Sequence, residues 1–531
     1  MSTTTTSSPA PATTLSVSSG RDARAAIAGL VATAVALGVS ELLAGVLPGA
    51  TSLVAAVGQV IVDRQPAGAK DLVVSLFGTN DKLALELFIV VVALALGALL
   101  GIVARRRFEI AAIAFVAFGI VGFLAALGAP LADPAIAAVA TAVSIGSGLL
   151  VLGWLLDHSG ASAAAATASA TTARMPDWSR RDFMIRASAV GVGAVAIGAV
   201  GRNLLDRQRT APASSGSAVP PASVTVPGYG ADADFSATVP GLTPIIMPND
   251  RFYRIDTSLL VPSVDIATWS LRIHGLVDRE TTLTWDQLIA LPVFEQYVTI
   301  ACVSNEVGGK LVGNAKWTGV RLRDVLEIAG VQSAATQLVG RSVDGWTAGM
   351  PTAWVMDPSR EPMIALKMND EPLPPIHGYP ARLIVPGLYG YVSATKWLKE
   401  LELTTLEGFD GYWVPLGWAK EAPILTQSRI DTPRGGLDPG QVAIAGVAWA
   451  PDRGISRVEV AVDGVWRDAR LSTPLADTTW VQWMTEWAAE PGRHELKVRA
   501  TDGTGTVQTE QSSPPAPDGA RGYHTVSVEV S

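Results

Sequence analysis

The sequence predicts a membrane region of four to five transmembrane α-helices, followed by an α+β domain and then by an immunoglobulin-like β-sandwich. The mean hydropathy of the 531-residue chain is +0.32, which is high for a soluble protein, and apolar residues crowd its first two hundred positions. Strand and helix patterns alternate in the middle of the chain, whereas strands and turns alone alternate from Pro423 onward. The predicted parts are a disordered N-terminus (1–24), a four-helix transmembrane region (25–158), a linker with a fifth apolar helix (159–205), a second linker (206–241), the α+β domain (242–410) and the sandwich (411–531).

Charge and cysteine content exclude several classes of function. The net charge is −8 and no long basic block is present, so nucleic acid is not expected as a partner. Cys302 is the only cysteine, which rules out an internal disulfide and any cysteine-rich zinc or iron–sulfur site.

Four apolar runs in the first part are long enough to span a bilayer. Arg21 and Arg24 precede the first run, and the triple arginine 105–107 separates the second from the third. By the positive-inside rule these arginines are cytoplasmic and the connection 48–82 lies outside. Within that connection Thr51–Val62 is apolar but short, which favours a surface or re-entrant helix. The four runs are Ile27–Leu47, Leu83–Val103, Ile110–Leu131 and Ala135–Leu156.

Two acidic residues, Glu41 and Glu86, lie within or near these runs. An acid inside a membrane is a candidate functional group. Because both residues are close to the end of a run, an interfacial carboxylate is the preferred interpretation.

The segment Ser179–Met184 (S-R-R-D-F-M) resembles a twin-arginine export motif placed inside the chain. An Ala/Ser/Thr-rich linker, 159–173, precedes it, and the weakly apolar stretch Ala187–Gly201 follows. That stretch is short for a span and typical of the apolar part of a signal sequence. The alternative is a stop-transfer flank with ordinary cytoplasmic arginines. Both interpretations place everything after Arg202 outside.

The soluble part shows local signatures of both predicted domains. Thr284 to Gln287 has the pattern of a helix capping box, and a second helix is expected over Leu322–Ala329. Asp463-Gly464 and Asp502-Gly503 are hairpin signals in the sandwich. Strands are expected at Leu271–Ile273, Val298–Ala301, Leu383–Val385, Leu398–Leu403, Val442–Ala448, Ser456–Val462, Trp480–Trp487, His494–Ala500 and Thr525–Val530.

Cys302 lies at the end of a predicted buried strand, Tyr297–Ala301, and a glycine-rich loop follows it. A thiol in this position suits a nucleophile or a soft metal ligand. A buried structural cysteine is the alternative.

The most distinctive block is His377–Trp397, H-G-Y-P-A-R-L-I-V-P-G-L-Y-G-Y-V-S-A-T-K-W. It contains a short strand with a proline on each side, a cation, Arg382, on one flank and glycine-rich polar backbone on the other. A second cation, Lys396, follows near the end of the block. Together these groups could grip an anion such as a phosphate. Two further islands are Asn249–Arg254 and Arg341–Trp346.

These islands, in this order, resemble the sulfite oxidase family of molybdopterin enzymes over roughly residues 243–407. The strand–cysteine block and the H-G-x-P-x-R-L-I-V-P block carry the resemblance. The sandwich that follows is similar to the dimerisation domain of that family. The resemblance therefore implies a molybdenum–molybdopterin cofactor and a possible homodimer.

The resemblance also implies residue roles. Cys302 aligns with the molybdenum-ligating and catalytic cysteine, which agrees with the preference of a high-valent, sulfur-held metal for a thiolate. Ser342 aligns with a further pterin contact. We expect Arg341, Asp344 and Trp346 on the substrate side. The expected cofactor-binding residues are Asn249, Asp250, Tyr253, Arg254, Cys302, Ser342, His377, Arg382, Thr395 and Lys396.

The sequence also departs from the family. No haem domain is visible, and of the five histidines only His158 is near a span, so the membrane region cannot supply two axial histidines to a b-type haem. The loop Val303–Gly313 lacks the asparagine–arginine run of eukaryotic sulfite oxidases, which leaves sulfite in doubt as the substrate.

The sequence thus predicts a multi-pass cell-membrane protein with an extracytoplasmic oxidoreductase domain. It would pass an oxygen atom to or from a small-molecule substrate, by sulfite oxidation or by S- or N-oxide reduction. Its electrons would be exchanged with an external cytochrome or quinone-linked protein. Two rival interpretations are a thiol hydrolase that uses Cys302 and His377, and a non-enzymatic, membrane-tethered binding module. The spans themselves would transport, anchor or dock a partner.

Overall fold

The structure is a computed structural model that describes residues 15–65, 81–129, 132–158, 178–210 and 218–531. The expected disordered N-terminus, residues 1–24, lies outside these ranges up to residue 14. The first helix begins at Leu15, so residues 15–24 are helical and this part of the prediction is wrong. The linker 159–173 also lies outside the described ranges. The chain divides into two compact units, Met1–Arg209 with Ser258–Leu260, and Thr210–Thr257 with Val261–Ser531.

The first unit is helical. Five of its described helices are long and apolar enough to cross a membrane, as the sequence predicts. The short apolar stretch after the first of them is also a helix, capped by Ser52, whose side chain accepts from the amide of Ala55. The helices are α1 (Leu15–Val46), α2 (Leu53–Asp63), α3 (Asp81–Arg106), α4 (Phe108–Leu127), α5 (Pro134–His158) and α6 (Arg180–Thr210).

Helix α6 is longer than its sequence suggests. The apolar stretch Ala187–Gly201 is short for a span, but the helix continues on both sides of it and has 31 residues. Its Ser179 side chain accepts from the amide of Asp182, so the first residue of the twin-arginine-like segment is the helix N-cap. Phe183 from the same segment is fully buried in the helical core. The flanking polar residues extend the helix because Arg, Asp and Asn at its ends need not leave water.

Close backbone contacts hold α6 against α1. A Cβ atom at Gly201 would lie 2.4 Å from the backbone of Glu41, and one at Gly38 would lie 2.4 Å from the carbonyl oxygen of Ala194. Glycine is therefore required where these helices cross. The two acids near the span ends are both engaged, since Glu86 pairs with Arg202 of α6 at 2.8 Å and Glu41 accepts from the hydroxyl of Ser52.

The α+β domain is built on two five-stranded sheets. One has the order β2-β1-β10-β5-β6, with β1 (Ser270–Gly275), β2 (Thr281–Thr284), β5 (Gln337–Ser342), β6 (Thr347–Pro351) and β10 (Leu398–Thr404). The other has the order β3-β4-β7-β8, and β9 pairs with β7; its strands are β3 (Val293–Ala301), β4 (Val312–Arg321), β7 (Met363–Met368), β8 (Glu371–Pro372) and β9 (Arg382–Ile384). Four helices complete the domain, α7 (Trp285–Ile289), α8 (Leu322–Ala329), α9 (Thr352–Met356) and α10 (Gly390–Ser393).

Two local predictions in this domain are confirmed. Helix α7 begins with a complete capping box between Thr284 and Gln287, and α8 covers Leu322–Ala329 as expected. The hydrophobic core of the domain continues into the C-terminal part of the chain through Trp449 and Trp480.

The C-terminal part is two sheets that share one hydrophobic core. Val460 and Val498 of one sheet and Ile444 and Trp483 of the other are fully buried between them. Asp463 and Gly464 both have positive φ and join the strands Ile455–Val462 and Val465–Asp468 in a tight hairpin. Asp502-Gly503 instead begins a turn that is closed by an isolated bridge between Thr501 and Val507. The sheets are β11-β13-β17-β16 and β12-β19-β18-β14-β15, with β11 (Gln427–Thr432), β12 (Gly435–Leu437), β13 (Gly440–Trp449), β14 (Ile455–Val462), β15 (Val465–Asp468), β16 (Arg470–Leu471), β17 (Val481–Ala489), β18 (Gly492–Asp502) and β19 (His524–Val530).

Candidate active site

Cys302 follows the last residue of β3 and opens a tight loop that ends at Leu311. The amide of Cys302 donates to the carbonyl of Leu311 at 2.9 Å, and the amide of Asn305 donates to the carbonyl of Cys302 at 3.1 Å. The side chain of Asn305 accepts from the amide of Leu311 at 2.7 Å. Cys302 is buried, with 8% of the residue exposed. A side chain with both neighbouring peptides fixed in this way has a defined direction.

Two tyrosines lie close to this thiol. Burial is the main cause that raises the pKa of Tyr253, and the neighbouring Cys302 raises it further. Burial likewise raises the pKa of Tyr389 to about 12, again with a contribution from Cys302. Both phenols are therefore protonated at neutral pH and can donate hydrogen bonds. Tyr389 is a site residue that the sequence pattern does not single out, although it stands in the most distinctive block.

Arg382 is the first residue of β9 and is buried, with 4% of its surface exposed. Its Nη1 atom donates to the carbonyl of His377 at 3.0 Å, and its guanidinium lies 5.2 Å from the ring centre of Trp317. Its Nε atom is buried without a hydrogen-bond partner, and among the described residues no carboxylate forms an ion pair with Arg382. Burial lowers its pKa to about 10. An anion supplied from outside the chain would stabilise a buried cation in this state.

His377 is buried beside Arg382 and is neutral. Its Nε2 atom lies 2.8 Å from the carbonyl oxygen of Asn249, so Nε2 carries the proton and Nδ1 is left as an acceptor. Burial, followed by the charges of Lys396 and Arg382, lowers its pKa to about 3. An imidazole this weakly basic does not deprotonate a thiol at neutral pH, which argues against a hydrolase that pairs His377 with Cys302.

Lys396 approaches the same region from the end of the block. Its Nζ atom lies 2.8 Å from Asp256, which also accepts from Nε of Arg254 at 2.9 Å. Burial lowers the pKa of Lys396 to about 8, and the charge of Asp256 opposes that shift. Burial raises the pKa of Asp344, which is near enough to Asp256 and Lys396 to feel both charges. The structure therefore brings the N-terminal strip, the 342–346 turn and the distinctive block together around one charged cluster.

The turn between β5 and β6 holds Ser342, Asp344 and Trp346. The amide of Ser342 donates to the carbonyl of Trp346 at 2.9 Å, and the amide of Trp346 donates to the carboxylate of Asp344 at 3.0 Å. Ser342 is buried, with its hydroxyl accepting from the amide of Asp344 at 3.3 Å. Trp346 is half-buried and packs on the core of the domain.

Arg341 is not brought to this cluster. Its Nε atom donates to Glu402 at 2.9 Å, and its guanidinium lies over the ring of Phe409. Side chains alternate along β5. A Cβ at the neighbouring Gly340 would meet Thr395, so Arg341 points to the opposite face. These contacts with Glu402 and Phe409 give Arg341 a structural role in the sheet.

The remaining predicted residues differ in burial. Thr395 is fully buried, and its hydroxyl has no hydrogen-bond partner. Asn249 accepts from the side chain of Asn369 at 2.8 Å and donates to the carbonyl of Met368 at 3.2 Å, whereas Asp250 is exposed.

Comparison with known proteins agrees with this geometry. Residues 258–413 match the family of oxidoreductase molybdopterin-binding domains. This part of the chain is thus similar to molybdopterin-binding domains of oxidoreductases. The chain is 30% identical over 321 residues to human mitochondrial sulfite oxidase, covering 51% of this chain and 58% of that protein. It is 28% identical over 318 residues to rice NADH nitrate reductase 1, covering 47% of this chain and 34% of that one. The matched part thus spans little more than half of these relatives at most.

A solved structure is also similar. The crystal structure of the sulfane dehydrogenase SoxCD from Paracoccus pantotrophus has 24% identity and a TM-score of 0.48, and the match covers 54% of this chain and 82% of that one.

The residues fit a molybdopterin cofactor. The uncompensated Arg382 cation and the unsatisfied hydroxyl of Thr395 are the groups that a bound phosphate would engage. Within the described ranges, no group of three or more His, Cys, Asp or Glu side chains could hold a metal ion.

Proposed function

We propose that this protein is a membrane-anchored, extracytoplasmic, molybdopterin-dependent oxidoreductase that transfers an oxygen atom to or from a small substrate. The observation that supports it most strongly is the buried Arg382, which has no anionic partner in the described chain and stands in the molybdopterin-matching region with Cys302. When bound, the cofactor would supply a molybdenum atom that exchanges an oxygen atom and two electrons with the substrate.

The residues of the chain would divide the work around that cofactor. Cys302 would bind the metal through its thiolate, and Arg382 and Thr395 would hold the phosphate. His377, fixed by Asn249, would present its Nδ1 acceptor to the pterin. Lys396 is already paired with Asp256, so it would contact the phosphate while keeping that ion pair. The other proposed cofactor contacts are Asn249, Asp250, Tyr253, Arg254 and Ser342.

The substrate side is proposed to include Asp344 and Trp346, with Tyr253 and Tyr389 as hydrogen-bond donors near the thiolate. Their raised pKa values keep both phenols protonated, so they could stabilise negative charge on an oxygen atom of the substrate by donating hydrogen bonds. Arg341 would act only indirectly, because its guanidinium is paired with Glu402.

The proposed membrane orientation rests on the number of apolar helices. If α1, α3, α4, α5 and α6 all span, a cytoplasmic N-terminus places the residues after α6 on the outer side. We propose that the twin-arginine-like segment directs this last crossing, so that the domain is exported after it has taken up its cofactor. Electrons would pass to an external cytochrome or quinone-linked protein, and the C-terminal sheets would form an immunoglobulin-like, dimer-forming domain.

The test is activity of the full chain purified from cells grown with molybdate or with tungstate, which competes for incorporation. Dye-linked oxidation of sulfite and dye-linked reduction of S-oxides and N-oxides are measured. We expect one of these activities in the molybdate-grown protein and its loss in the tungstate-grown protein. Equal activity in both preparations would refute the proposal.

A further inference from the structure

Residues of the C-terminal part of the chain form hydrogen bonds with the strand that precedes Cys302 and with the loop that follows it. On one side of β3, the amide of Thr299 donates to the carbonyl of Thr478 at 2.9 Å, and the amide of Trp480 donates to the hydroxyl of Thr299 at 2.8 Å. The hydroxyl of Thr478 also donates to the carbonyl of Tyr297 at 2.6 Å. The last residues before the thiol are therefore hydrogen-bonded to the segment that leads into β17.

The loop after the thiol is held from β11 and β19. Arg429 of β11 donates from Nη1 to the carbonyl of Gly309 at 2.7 Å and from Nε to Asp431 at 2.6 Å. Both side chains are buried, with 5% and 7% exposed. A charged donor in such a site makes a strong hydrogen bond that is costly to lose.

The ring of His524, the first residue of β19, packs closely against Gly308 of the cysteine loop. Its Nδ1 atom accepts from the amide of Ile430 at 3.0 Å, which fixes the ring. A Cβ at Gly308 would lie 2.2 Å from that ring, and Gly308 has a φ of +75°. The loop can follow this path only because residue 308 is glycine, so its course is fitted to His524.

We propose that Arg429 and His524 are positioning residues that fix the direction of the Cys302 thiol. The C-terminal sheets would then help to orient the Cys302 side chain, in addition to any role in assembly. Neither residue belongs to the sequence-predicted site, and neither touches the thiol itself in the contacts described above. The inference rests on the proposed function for its catalytic meaning, but its structural content can be tested without cofactor.

The test uses the single cysteine as a reporter. Full chain is purified from cells that cannot make molybdopterin, and the rate of Cys302 alkylation by iodoacetamide is measured for wild type, Arg429→Met and His524→Ala. We expect alkylation to be about tenfold faster in both variants, equivalent to about 1.4 kcal/mol of easier loop opening. Arg429→Lys should restore part of the protection.

The matched control is Arg499→Met. Arg499 of β18 also pairs with a buried carboxylate, Glu459 of the adjacent strand β14, at 2.8 Å. Its described contacts do not include the cysteine loop. Its alkylation rate should equal that of wild type. If Arg429→Met does not accumulate, the double variant Arg429→Met/Asp431→Asn, which removes both buried charges, takes its place.

Unchanged alkylation in the Arg429 and His524 variants, or equal acceleration in Arg499→Met, would overturn the proposal. Molybdenum content, measured in parallel on protein from cofactor-producing cells, separates the two ideas. Accelerated alkylation with no molybdenum in the wild type would refute the proposed function and leave the positioning role standing. A normal molybdenum content with unchanged alkylation would refute the positioning role and leave the proposed function standing.

Discussion

Replacing Arg382 with methionine should have opposite effects on the empty and the loaded protein. The guanidinium is buried and its Nε atom has no hydrogen-bond partner, while Nη1 donates to the carbonyl of His377. Methionine fills much of the same volume and carries no charge. The substitution therefore removes a buried charge from the empty protein but removes an ion-pair partner from the loaded one.

The magnitude in the empty protein follows from the pKa of Arg382, which burial lowers from 12.5 to about 10. The difference corresponds to roughly 3 kcal/mol against the charged form in the folded state. This penalty is fully present at neutral pH, because pH 7 is below both values, and it declines only as the pH rises from about 10 to 12.5. Loss of the hydrogen bond to His377 offsets about 1–1.5 kcal/mol of the gain. The variant should therefore be more stable than wild type by about 1–2 kcal/mol.

In the loaded protein the sign reverses. Removing one partner of a buried ion pair destabilises by about 3–5 kcal/mol, so Arg382→Met should lose cofactor or unfold at a lower temperature. The assay is thermal unfolding of the full chain in detergent, with and without cofactor, where 1 kcal/mol corresponds to roughly 2–4 °C. Arg321→Met is the control, since Arg321 pairs with Glu361 at 2.9 Å and should lower Tm in both forms. A lower Tm for Arg382→Met in the empty protein as well would refute the reasoning.

Two further predictions concern acid sensitivity and processing. His377 has a folded pKa of about 3 against an ordinary 6.5, so the unfolded chain takes up its proton first as the pH falls, and stability declines between these values by up to ~1.4 kcal/mol per pH unit. His377→Gln should therefore lose less Tm than wild type between pH 6.5 and pH 4; an identical decline would show that His377 is not buried as a neutral group. Helix α6 should remain in the mature protein despite its signal-like sequence, because it contacts the α1 backbone at Gly38 and Glu41 and pairs with Glu86 through Arg202. Intact-mass measurement of the purified protein should include residues 180–210, and a chain that begins after Gly201 would contradict this.

Local sequence patterns predicted those elements that short-range interactions determine. The capping box at Thr284 and the Asp463-Gly464 hairpin depend on neighbouring residues only, and both are present as expected. The placement of Cys302 at a strand end also follows from a run of apolar strand formers. Each of these features can be predicted from neighbouring residues alone, without knowledge of the tertiary contacts.

Side-chain direction and long-range contacts could not be read in the same way. Arg341 stands beside Ser342 in sequence, but alternation along β5 turns it to the face where Glu402 is its partner. Arg429 and His524 come from strands more than a hundred residues after the loop they contact, and no local pattern marks them. The apolar stretch Ala187–Gly201 marks only the middle of α6, because apolar content does not show where a helix begins and ends.

The most direct test of the account is the molybdenum content of the purified full chain and of Cys302→Ser, measured by elemental analysis after expression in cells that load their other molybdoproteins. We expect close to one molybdenum atom per chain in wild type and a strongly reduced content in the serine variant, because the hydroxyl is a poorer ligand than the thiolate. The thermal stability of the two cofactor-free proteins should be similar. A wild-type protein without molybdenum under these conditions would contradict the account.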